Sequence, residues 1–231
     1  MLLAPKDAVS SNKLLSRLSR GDRRLLEPHL EAVDLPLRTP LEARNSPVGH
    51  VYFLDKGLAS VVANGTHEIE VGIIGREGMT GLSVVLNGDS KHRAVHETYM
   101  QIAGGGQRMM ADSLRKAMAA SSTLHQVFLG YAHAFLIQAT QTALANGRSK
   151  IEERLARWLL LAADRVDGNE LPLTHEFLAI MLGVRRSGVT VALQGLERTG
   201  LIAHKRGVIT ILDREALEGA SNGTYVRPSD S

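Results

Sequence analysis

The sequence predicts an α+β chain in which a small antiparallel β-domain is followed by a long helix and then by a winged helix-turn-helix. Three observations carry this. Between about residues 35 and 110, short runs of alternating apolar and polar residues are separated by glycine-bearing turns. From 111 to about 145 there is no proline, and apolar residues recur at helical spacing. Nearer the C-terminus, Ala179 is followed four residues later by Gly183 and six after that by Val189, the spacing by which two short helices cross at a tight turn.

Composition narrows the function classes. With 231 residues, 44% of them hydrophobic and 22% charged, the chain is long enough for two compact units. There is no cysteine, which excludes disulfides, thiolate zinc sites, cysteine-ligated iron–sulfur clusters and cysteine nucleophiles. No apolar run approaches the roughly 18–20 residues of a membrane span. The N-terminal MLLAPKDAVSSNK has no apolar stretch behind a basic start, so a cytoplasmic protein without a membrane partner is expected. Net charge is only +3, but its distribution is uneven. Val184–Arg206 holds five basic residues (Arg185, Arg186, Arg198, Lys205, Arg206) against one acidic residue, Glu197.

The expected division is 1–120 for the β-domain with flanking helices, 121–147 for the long helix, 148–219 for the helix-turn-helix domain and 220–231 for a loose tail. Leu14, Leu15, Leu18, Leu25, Leu26 and Leu30 predict short helix over 13–32, broken at Gly21-Asp22. Val51–Leu54, Asp55-Lys56-Gly57 and Leu58–Val62 read as strand, turn and strand. Asn64-Gly65 suits the positive φ angles of a type I′ turn. In Glu68–Ile73 the apolar residues fall on one face. Gly104-Gly105-Gly106 reads as a turn-like run.

Leu124, Val127, Phe128, Tyr131, Phe135, Ile137 and Leu144 mark the long helix, whose polar residues are mostly Gln, Thr, Ser and His. A helix lying on its own domain normally carries a strongly charged outer face, so this one is expected to form the seam of a homodimer; covering by its own domain alone is the other reading. Asn146–Ser149 then breaks the helix, and Ser149 with Glu152 has capping-box form for the next one, which runs to about Val166. Asp167-Gly168-Asn169 stops it.

Thr174 is placed as the N-cap of a short helix that Gly183 ends, and Val184-Arg185-Arg186-Ser187 opens a second helix ending at Gly200. Leu178, Leu182, Val184 and Ala192 fill the inward places. Leu201–His204, Lys205-Arg206-Gly207 and Val208–Ile211 form a hairpin with a basic tip, the wing. The candidate DNA-binding residues are Thr174, Arg185, Arg186, Ser187, Thr190, Val191, Gln194, Lys205 and Arg206. Arg186 is suited to guanine O6/N7, Gln194 and Thr190 to adenine or phosphate, and Val191 to a thymine methyl. Arg185 and Arg186 could instead merely solvate a helix start, but arginines there oppose the helix dipole and call for another reason.

In this order of parts, Val51-Tyr52-Phe53-Leu54…Gly57, the long helix, Arg154-Leu155-Ala156 with Trp158-Leu159-Leu160, LTHEFLAIMLGVRRSGVTVAL and GLIAHKRGVITI resemble the Crp/Fnr family of bacterial transcription regulators. The resemblance spans nearly the whole chain and is most specific from Arg148 to Leu217. It implies a cyclic-nucleotide-binding-like β-roll of jelly-roll type, a homodimer joined through the long helix, a palindromic operator on double-stranded DNA, RNA polymerase as a partner and a small-molecule effector. The residues that it places at the effector are Gly78, Met79, Gly81, Leu82, His92, Arg93 and Thr140. Met79 stands where the cyclic-AMP-binding members carry a glutamate for the ribose, so cyclic AMP is not expected in the usual mode. Ser187 and Val191 replace a glutamate and an arginine of the better-known readers, so a different operator is expected. His92 and His96 make a weak metal pair in a strand-and-loop region, and no cofactor or metal is assigned.

Two other function classes compete. A ligand-binding signalling module acting on protein partners would bind with little salt dependence, whereas contacts to several phosphates weaken steeply with salt. An enzyme is not expected, because no nucleophile motif, metal-ligand set or phosphate loop is present.

Overall fold

The computed structural model describes residues 10–64, 68–87 and 93–227. These form two compact units: one from the described parts of Met1–Val61 and Ile74–Ile137, the other from Val62–Ile73 and Gln138–Ser231. Gly65 of the expected turn and His92 lie outside the described residues.

The first unit begins with α1 (Lys13–Ser16) and α2 (Arg20–Leu26). The break between them falls before Gly21, not at it: Ser19 caps α2, its hydroxyl accepting from Asp22 N, so Gly21-Asp22 lies within the helix. Asn12 is fully buried; its Oδ1 caps α1 at Leu15 N and its Nδ2 donates to Leu54 O and Gly78 O, which pins the helix to the sheet. The strands are β1 (Glu31–Leu35), β2 (Pro40–Glu42), β3 (His50–Asn64), β4 (Glu68–Ile74) and β5 (Glu97–Met110), with order β1-β5-β3-β4 and β2 also on β5. A short helix, α3 (Leu82–Leu86), interrupts what reads in the sequence as continuous strand and turn. Leu14, Leu15, Leu26, Phe53, Met79, Met109, Leu114, Leu124 and Phe128 fill the core.

Two glycine signals have a different meaning from the one expected. β3 runs unbroken through Asp55-Lys56-Gly57; Gly57 takes φ +86° inside the strand rather than in a reversing turn. Gly104-Gly105-Gly106 is not a turn but the middle of β5. A Cβ at Gly104 would stand 2.0 Å from Lys56 O, and one at Gly106 2.1 Å from Phe53 O. At Gly104 and Gly106 the backbones of β3 and β5 approach too closely for any side chain, while a Cβ at Gly105 would stand 3.0 Å from Val33 O on β1.

α4 (Ala111–Ala120) and α5 (Ser122–Arg148) follow. α5 continues through Asn146-Gly147, where a break was expected, and Ser149 N still bonds Ala145 O. The cap of α6 (Ile151–Ala163) is consequently one residue later than expected: the Glu153 carboxylate, not that of Glu152, accepts from the N–H of Lys150. On α5, Leu129, Leu136, Ile137 and Leu144 are 39–60% exposed, at i, i+7, i+8 and i+15.

The second unit packs α7 (His175–Leu182), α8 (Arg186–Arg198) and α9 (Arg214–Ala220) against α6. Its sheet has three strands, β6 (Glu170–Pro172), β8 (Val208–Ile211) and β7 (Ile202–Lys205), in the order β6-β8-β7; β6 was not anticipated. Residues 220–227 are held rather than loose. Thr224 O accepts from Arg157 Nε at 3.0 Å, and Tyr225 Oη donates to Asp164 Oδ2 at 2.8 Å. Arg157, 6% exposed in the buried stretch of α6, has its pKa pushed down to about 10 by burial and donates to the Thr224 carbonyl and to Thr142 Oγ1.

Glu70 also departs from the alternating pattern. It is 4% exposed, not outward-facing, and its carboxylate accepts from Trp158 Nε1 at 2.5 Å. Gln138 bonds both N–H and C=O of Ile73, at 2.6 and 3.1 Å. These bonds tie β4 to α5 and α6 within the second unit.

Candidate nucleic-acid interface

The two crossing helices are set by local rules. Thr174 Oγ1 accepts from Phe177 N at 3.2 Å and starts α7. Gly183, at φ +59°, ends it in the left-handed conformation, and Val184 N closes onto Ala179 O at 2.9 Å. Arg185 caps α8 through its carbonyl, which receives Gly188 N. Leu178, Leu182, Val189, Ala192, Leu193 and Leu196 are buried, while Ala179 and Val184 are half-buried at the crossing. Gly188 faces α6, where a Cβ would stand 3.2 Å from Ile151 Cδ1. Trp158 meets Phe177 edge-on at 5.6 Å, and Arg154 donates to the Leu182 carbonyl at the end of α7.

The opposite face of α8 presents Arg185, Arg186, Ser187, Val191 and Gln194, all exposed, with Val191 at 59%. An exposed valine between Ser187 and Gln194, on a helix that opens with two arginines and whose other face is core, is chemistry suited to a groove rather than to water. Thr190, expected outward, is half-buried: its hydroxyl bonds Arg186 O and meets His175 Nδ1 at 2.9 Å.

At the wing tip, Lys205 pairs with Val208, which leaves Arg206 and Gly207 as a two-residue turn with φ +51° and +78°. Positive φ at both positions is the type I′ condition, for which Asn-Gly is favoured. Here an arginine takes the first place, exposed beside exposed Lys205.

His175 and His204 were missed by the sequence reading. His175 Nε2 faces His204 Nδ1 at 3.5 Å, the ring centroids are 4.7 Å apart, and His204 N donates to Glu197 Oε1 at 2.7 Å. The pair ties the start of α7 to α8 and to the wing. Burial first, then His204 and Arg186, holds the His175 imidazole below its ordinary pKa, against the opposing pull of Glu197. No local pattern links residues 29 positions apart.

The residues expected at an effector separate in the first unit. Gly81 and Leu82 line a cavity of about 410 Å³. Gly78 and Met79 are not part of its lining. Met79 is fully buried and bridges Phe53, and a Cβ on Gly78 would fall 2.2 Å from Tyr131 Oη. Arg93 is exposed and donates to Asn45 O, and Thr140 is exposed on α5 outside the lining. Among the described residues no group of three or more His, Asp or Glu is placed to hold a metal. No helix among them is long and apolar enough to cross a membrane.

Residues 153–220 match the Crp-like helix-turn-helix domain. No curated protein sequence matches the chain. Among solved structures, a Eubacterium rectale protein assigned to the Crp/Fnr family of transcriptional regulators is similar at 20% identity and TM-score 0.70, over 91% of this chain and 98% of that one. FixK2 from Bradyrhizobium japonicum is similar at 17% identity and TM-score 0.70, over 87% and 99%. The c-di-GMP-responsive regulator CLP from Xanthomonas campestris is similar at 16% and 0.67, over 84% and 99%. The chain has the fold of a Crp/Fnr-type DNA-binding transcription regulator. Its C-terminal unit contains a Crp-like helix-turn-helix domain.

Proposed function

We propose that the chain binds double-stranded DNA as a homodimer, inserts α8 of each protomer into the major groove of a palindromic site, and regulates transcription there. The observation that carries this is the two-faced α8, with a core of Val189, Ala192, Leu193 and Leu196 on one side and exposed Arg185, Arg186, Ser187, Val191 and Gln194 on the other. Lys205 and Arg206 at the wing tip meet phosphates beside that groove. The exposed apolar row on α5, Leu129, Leu136, Ile137 and Leu144, supports a helix-to-helix dimer seam. Contact with RNA polymerase at the bound promoter and a cytoplasmic location follow from this role.

Selection of bound sequences from a random DNA library, with purified protein and no added ligand, tests the reading. The expected product is a palindrome whose half-sites lie about one helical turn, roughly 34–36 Å, apart. A pool that remains random at low salt overturns it. Gel filtration at micromolar concentration checks the dimer, and a monomer there contradicts the seam.

A further inference from the structure

The first unit's cavity has a chemistry of its own. It lies between β2, β3, β4, α3, the strand β5 and α5, and its volume of about 410 Å³ is within the range of small-molecule pockets. Val61, Ile74, Leu82, Leu86, Val95 and Phe135 make its walls apolar. Among the described residues no lysine or arginine lines it and His96 is the one basic side chain there, so a phosphate or carboxylate entering it would meet no ammonium or guanidinium among them. What it does meet is Glu42. This carboxylate accepts from Gly81 N at 2.8 Å and from Thr98 Oγ1 at 3.3 Å. Both bonds fall on Oε1, which leaves Oε2 as the acceptor for a ligand. Phe135 adds an aromatic ring to the same lining, and a carboxylate with an aromatic face is the pairing that recognises an ammonium group.

From this we infer that the cavity binds a small primary amine with an apolar body, its ammonium group on Glu42 and its hydrocarbon or aromatic part against the walls. Burial pushes the Glu42 carboxyl above the usual carboxylate range, against the bonds from Gly81 and Thr98, and an arriving ammonium supplies the counter-charge that this burial withholds. The inference adds a ligand class to the DNA-binding reading without depending on it, because the cavity is tested on the protein alone.

The test is isothermal titration calorimetry of the full chain, without DNA, against phenethylamine, tryptamine and hexylamine. 3-Phenylpropionate, which has an apolar body of similar size and the opposite charge, and cyclic AMP serve as comparisons. At least one amine is expected to bind once per chain, with 3-phenylpropionate and cyclic AMP at least tenfold weaker. Glu42→Gln keeps an acceptor for Gly81 and is expected to weaken that amine tenfold or more. Equal or tighter binding of the acid or the nucleotide overturns the inference, as does no binding of any amine at millimolar concentration. Should Glu42→Gln fail to fold, the head-group comparison on the unaltered protein still decides. A folded Glu42→Gln with unchanged amine affinity also overturns it.

Discussion

Arg206 occupies the first place of the wing turn at φ +51°, a conformation that costs a residue with a Cβ about 1–2 kcal/mol and that asparagine tolerates better. Arg206→Asn, which creates the favoured Asn-Gly pair with Gly207, removes part of that cost. We expect a gain of up to about 1 kcal/mol, or about 2–4 °C in Tm for a chain of this size. DNA binding should move the other way. Each phosphate contact contributes about 0.9 to the slope of log K against log salt. A dimer that loses one contact from each wing should therefore show a slope shallower by about 1.8. Between about 50 and 200 mM salt, it then loses roughly tenfold less affinity than the unaltered protein does. Thermal melting by circular dichroism gives the first quantity, and fluorescence anisotropy with a selected operator over a salt series gives the second. A Tm that stays level or falls refutes the strain argument. A raised Tm with an unchanged salt slope refutes the phosphate contact, and would mean that the arginine sits in the turn without serving DNA.

Three further outcomes are expected. Arg186→Ala should leave unfolding stability within about 0.5 kcal/mol of the original, because the side chain is exposed, yet lose about 1–3 kcal/mol of discrimination at one base pair per half-site; equal binding to all operator variants would count against the base contact. His175 has a depressed pKa in the folded protein, so its contribution to stability is fully present above the unfolded value near about 6.5 and is lost as pH falls below it. Melting temperature should accordingly drop between pH 7.5 and 5.5, and His175→Gln should drop less; identical drops would exclude the histidine as a source. Gly106→Ala should yield no soluble folded protein, since its Cβ would meet Phe53 O at 2.1 Å; a variant that melts like the original would show that β3 and β5 can move apart.

The contrast between these sites shows which features local sequence can specify. The helix-turn-helix is legible because its determinants are short-range. Thr174 caps its own third residue, Gly183 takes the left-handed turn, and the buried face of α8 repeats every three to four positions. The long helix and the wing are legible for the same reason, as repeating patterns or turns between neighbouring strands. Local signals failed where a residue answers to a distant partner. Gly104-Gly105-Gly106 looks like a turn until β3 is laid against it. Glu70 looks like a solvated strand position until Trp158, 88 residues away, donates to it. Met79 stood for a lost ligand contact, but packing against Phe53 makes it a core residue.

The sequence by itself determined the order of parts, the crossing helices and, Thr190 apart, the exposed face of α8, because periodicity and capping act within a few residues. Only the tertiary structure decided that His175 and His204 join the start of α7 to the wing, and that Glu42, with Gly81 and Thr98 bound to one oxygen, lines a cavity with largely apolar walls. Those sites are assembled from segments 17–56 residues apart in sequence. Their chemistry depends on burial and on charges brought close by folding, and neither is encoded in the spacing of neighbouring residues.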